Sequence, residues 1–81
     1  MEAVDGNAIG GLLHELFGRE MTGAGCVCGN CGAARPVAKL AVYLQAPGTV
    51  VRCRTCESVL MVFAKVRGRT CVDLLGLADL G

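Results

Sequence analysis

The chain has 81 residues, a formal net charge of +1 and a hydrophobic fraction of 53%. That length leaves room for one domain, the near-neutral charge gives no global pull toward polyanions, and no apolar run reaches the roughly 18 residues of a transmembrane helix. With two Phe, one Tyr and no Trp, a domain this small needs a staple beyond its core, such as a metal, disulfides or a partner.

Asp5 and Asn7 are N-cap candidates. After them Ile9, Leu12, Leu13, Leu16 and Phe17 recur at helical spacing. Gly18 stands where a glycine terminates a helix, so the pattern predicts a helix over 8–17. Gly10 and Gly11 each weaken it by about 1 kcal/mol relative to Ala, so it needs something to pack on. Residues 19–27 are poorly patterned and have room for a short strand.

Beyond the first cysteine turn, residues 37–44 alternate as a half-buried strand. Ala38, Leu40, Val42 and Leu44 point one way, Lys39 and Tyr43 the other. Pro47-Gly48 signals a turn, and Thr49–Arg52 a short strand leading into the second cysteine turn. Val59–Val66 is the most apolar segment and is expected to be a central strand. Arg67-Gly68-Arg69 reads as a hairpin turn, residues 70–75 as the returning strand and Gly76–Gly81 as one helical turn.

Six cysteines are present, and Cys28, Cys31, Cys53 and Cys56 form two Cys-x-x-Cys pairs 21 residues apart. Each such turn aims two sulfurs at one point, and two of them close a tetrahedral sulfur site. Zinc is the expected ion; iron in a rubredoxin-like electron carrier is the chemical alternative. The start, Met1-Glu2-Ala3-Val4-Asp5, is acidic and lacks the basic and apolar regions of a signal peptide. Reduced, metal-binding cysteines in the cytoplasm are therefore expected rather than disulfides. Cys26 is expected to be a non-ligating neighbour, Cys71 a small buried hydrophobe, and His14 a structural or solvent-facing residue.

The fold class that follows is a small metal-stapled α+β protein: a zinc ribbon, with an antiparallel β-sheet and a four-cysteine site, preceded by an N-terminal amphipathic helix. Residues 1–20 are expected to pack on a ribbon of residues 21–81 as one domain.

The chain resembles a family of short actinobacterial proteins of unknown function. The resemblance rests on Val4 to Ala8, on Leu13 with Phe17 and on Cys28 to Gly32. It continues through Tyr43 with Pro47-Gly48, Arg52 to Cys56, and Asp73-Leu74 with Gly76. It implies a metal and a ribbon-like fold but no activity.

No Ser/His/Asp set, phosphate-binding glycine loop or paired carboxylates are visible, so no enzymatic activity is expected. The preferred reading is a regulatory or adaptor module that contacts another protein, with homodimerisation as one form of that contact. A second reading is a nucleic-acid-binding ribbon. Residues 1–20 carry four carboxylates against one arginine, whereas residues 35–71 carry seven Arg and Lys against one Glu. Within that stretch Arg52, Arg54, Lys65, Arg67 and Arg69 are the candidate phosphate contacts, although the scarcity of aromatics argues against base stacking.

Overall fold

A computed structural model describes residues 3–45 and 48–81. The expected turn at Pro47-Gly48 falls partly outside these residues. The chain opens with a single 3-10 turn, Gly6–Ile9, started by Asp5, whose side chain accepts a hydrogen bond from the Asn7 backbone N–H at 3.0 Å. It continues into helix α1 (Gly10–Phe17), which ends at Gly18 in a left-handed conformation with its N–H donating to the His14 carbonyl. The end of the helix and its terminator lie where the periodicity places them, while Ala8 and Ile9, expected in the helix, belong to the preceding 3-10 turn.

Seven strands follow among the described residues: β1 (Gly25–Cys28), β2 (Ala34–Pro36), β3 (Ala41–Gln45), β4 (Gly48–Arg52), β5 (Val59–Val66), β6 (Arg69–Asp73) and β7 (Leu77–Leu80). They form two antiparallel sheets, β2-β1-β7 and β3-β4-β5-β6. Strand β5 has the bounds read from its apolar run and occupies an inner position. Arg67 and Gly68, both at positive φ, make the two-residue turn into β6.

Cross-strand register explains the core. Val42 faces Val51, and Val51 faces Met61, all with no accessible surface. Ile9 and Leu13 complete the same buried cluster from the N-terminal segment. Leu16 and Phe17, on the last turn of α1, are exposed, so the helix buries only the first part of its apolar stripe.

Three further expectations are corrected. The strand predicted over 37–44 begins only at Ala41. Val37–Lys39 instead form a second 3-10 turn after Pro36, which buries Val37 and reserves the pairing with β4 for Ala41–Gln45. Leu40 and Val42 are buried as the alternation requires, but Leu44, at the far end of β3, is exposed.

The tail is a strand and not a helical turn. β7 pairs with β1 through Cys26↔Leu80, Val27↔Asp79 and Cys28↔Leu77, while Leu77 and Leu80 pack against the core. Pairing with a distant edge outweighs a local preference that a segment this short cannot express.

Cys71 is exposed rather than buried. It pairs with Ala64 on the outer strand β6 and lies in the register row next to Phe63↔Val72, so its side chain points to the opposite face from Phe63. Among the described residues, no helix is long and apolar enough to cross a membrane.

Candidate metal centre

Cys28 closes β1 and Cys31 lies in the turn after it; Cys53 directly follows β4 and Cys56 lies in the turn before β5. The two turns share one backbone pattern. Gly32 N–H donates to the Cys28 carbonyl and Glu57 N–H to the Cys53 carbonyl, each at 3.0 Å. Cys28 N–H donates to the Ala33 carbonyl at 3.0 Å and Cys53 N–H to the Ser58 carbonyl at 2.9 Å. Asn30 N–H points at Cys28 Sγ and Thr55 N–H at Cys53 Sγ, both at 3.4 Å. The residue after each second cysteine is left-handed, Gly32 at φ 76° and Glu57 at φ 63°. Two unrelated stretches of sequence thus build the same thiolate cradle.

The four Sγ atoms lie within 4.8 Å of one another. Cys28 and Cys56 are separated by 3.6 Å and Cys31 and Cys53 by 3.7 Å, each pair linking the two turns. Four sulfurs held tetrahedrally at about 2.3 Å from one ion would stand about 3.8 Å apart. The donor set therefore fits a thiophilic ion, and every ligand position is supplied by the chain. Cys28 and Cys53 are buried, Cys56 is half-buried and Cys31 reaches the surface.

Proton affinities are divided unevenly among these thiols. Hydrogen bonds from the Asn30 and Ser58 side chains, joined by the Ser58 N–H, hold Cys56 down to about 5. Cys31 is pushed up to about 11: a backbone contact from Ala33 lowers it, but burial and the surrounding thiols outweigh that contact. Burial raises Cys53, yet the Cys56 and Thr55 N–H groups leave it below the ordinary thiol range. Sulfurs this close cannot ionise independently, and a cation at their centre replaces the protons that otherwise separate them. Asn30 and Ser58 were not singled out from the sequence. The only signal for them is a polar side chain one residue before Cys31 and two after Cys56.

The remaining candidates lie outside the cluster. Cys26 is buried with its Sγ donating to the Arg35 carbonyl at 3.2 Å, and burial raises its pKa. His14 is exposed on α1. Arg52 donates to the Glu57 carbonyl at 2.9 Å and lies 6.0 Å from the centroid of the Tyr43 ring. Arg54 donates through Nε to the Lys39 carbonyl at 2.9 Å. Both arginines flank the second cysteine turn. Lys65, Arg67 and Arg69 lie at the opposite end of β5, roughly 20 Å away along its eight residues. The five basic residues therefore form two groups, not one surface.

A protein-family model described as "Family of unknown function (DUF6510)" matches residues 1–81, and the chain belongs to that family. No curated protein and no solved structure matches it.

Proposed function

We propose that this member of the DUF6510 family is a zinc-ribbon module whose Cys28, Cys31, Cys53 and Cys56 hold one structural zinc ion, and that it acts by contact with another protein. The observation that carries the metal reading is the packing of four sulfurs from two matched turns at tetrahedral spacing. A closed four-sulfur site leaves no coordination position for water, so the ion supplies folding free energy rather than catalysis.

Support for the protein-contact reading comes from the sheet face opposite the helix. Tyr43, Val50 and Val62 stand half-buried in one cross-strand row that ends at exposed Asp73, with Ala64 half-buried and Cys71 exposed beside them. An apolar row left partly open on a small domain is a surface suited to a second chain.

Elemental analysis of freshly purified protein tests the metal. One zinc per chain is the expected result, and a coloured protein containing iron would favour electron transfer instead. Val62→Glu tests the contact: the variant should retain its zinc and lose both self-association and partner capture. Retention of both would remove this face from the reading.

A further inference from the structure

We propose that a cleft beside the metal centre, bounded by Arg35, Lys39 and Arg54, is a binding site for a phosphate ester that carries sugar hydroxyls. The inference does not rest on the protein-contact reading. The cleft has a volume of about 410 Å³ and is lined by Asp5, Asn7, Arg35, Ala38, Lys39 and Arg54. That volume lies in the range of small-ligand sites, about 300–1,000 Å³.

Arg35 and Lys39, four residues apart, are joined here by the distant Arg54 because of the fold. Arg35 lies on β2, Lys39 closes the 3-10 turn that follows it, and Arg54 lies inside the second cysteine turn. Two of them are held in place. Arg35 donates through Nη2 to Thr55 Oγ1 at 2.6 Å, and Arg54 donates through Nε to the Lys39 carbonyl at 2.9 Å. Both acceptors are uncharged, so neither contact neutralises a guanidinium. Each arginine has five N–H donors in a planar fork that matches phosphate oxygens. Arg35 Nε is buried without an acceptor among the described residues.

Asp5 sets the rest of the ligand's chemistry. Its carboxylate lines the same cleft and accepts the Asn7 N–H at 3.0 Å. A carboxylate repels a bare phosphate but accepts hydrogen bonds from hydroxyl groups. Three cations and one anionic acceptor lining the same cleft suit a sugar phosphate or nucleotide better than inorganic phosphate. The competing account is that these cations only offset the negative charge of a divalent ion bound by four thiolates.

Calorimetric titration of the zinc-loaded full chain at low salt decides between them. The probes are inorganic phosphate, ribose 5-phosphate, adenosine 5′-monophosphate and a short ribo-oligonucleotide with or without a 5′-phosphate. Either free ester, or the phosphorylated oligonucleotide, should bind more tightly than inorganic phosphate; which one does identifies the source of the ester. Lys39→Gln and Arg54→Gln, at exposed positions, should each weaken ester binding about tenfold or more, the scale of a charge-assisted hydrogen bond. Asp5→Asn removes the repelling charge, so it should tighten inorganic phosphate and narrow the ester's advantage over it. Arg67→Gln, at the far hairpin, should change nothing.

The proposal is overturned if no ester binds, or if Arg67→Gln costs as much as Lys39→Gln. It is also overturned if Lys39→Gln and Arg54→Gln lower metal affinity while leaving ester affinity intact. Metal content measured on the same samples separates these outcomes from failure of the zinc reading.

Discussion

Left-handed backbone after the second cysteine is required in both turns, but only one of them carries glycine there. Gly32 adopts φ 76° freely, whereas Glu57 adopts φ 63° against the clash between its Cβ and its own backbone. Glu57→Gly should therefore stabilise the metal-loaded protein by about 1 kcal/mol, read as a higher denaturant midpoint. Gly76 meets the opposite constraint: a Cβ there would lie 1.9 Å from the Val59 carbonyl oxygen. That atom is backbone and cannot move aside cheaply, so Gly76→Ala should cost about 1–3 kcal/mol on the same measurement. The thiols differ as sharply. Cys71 is exposed and should alkylate first; Cys26, buried against the Arg35 carbonyl, should alkylate slowly. The four cluster cysteines should become reactive only after a chelator is added. Rapid alkylation of any of those four in the metal-loaded protein would exclude it as a ligand.

At the scale of elements, the helix is held by a narrower contact than its pattern suggests. Leu13 is 1% exposed and Leu16 39%. Leu13→Ala should cost about 2–5 kcal/mol as a buried truncation, and Leu16→Ala under about 1 kcal/mol. Equal losses would mean that the last turn of α1 is also enclosed. The helix, β5 and the hairpin at Arg67-Gly68 were legible because each carries its own signal: a 3.6-residue period, a continuous apolar run, and a turn flanked by strand residues. The four sulfurs were legible because ligand spacing is a local property that the fold preserves. What escaped the sequence depends on partners distant in the chain. Leu77–Leu80 becomes a strand only because β1 offers it an edge, and Cys71 is exposed because it lies on the outer strand β6 and faces away from the core. The meeting of Arg35, Lys39 and Arg54 likewise follows from the placement of the second cysteine turn beside β2, which no local pattern encodes.

The whole molecule is as compact as its length allows. Its radius of gyration is 11.6 Å, against about 11.7 Å expected for a folded domain of this size. Yet extensive strand-to-strand contact occurs within each sheet rather than between them. Cys28 and Cys31 belong to the β1–β2 turn of the three-stranded sheet, and Cys53 and Cys56 to the β4–β5 turn of the four-stranded one. An ion bound to all four is thus a crosslink between the two sheets. Other links include the shared buried cluster, the hydrogen bond from Arg35 on β2 to Thr55 in the second cysteine turn, and the close approach of Gly76 to Val59. Metal removal should therefore act unevenly. Amide hydrogen exchange after chelation should show protection lost first in β1, β2 and β7, while β4 and β5, paired on both sides around Val51 and Met61, keep theirs longest. Simultaneous loss across all strands would mean that the two sheets fold as one cooperative unit. Unchanged protection would mean that the cluster of sulfurs carries no folding free energy, and the structural role assigned to the ion would fall with it.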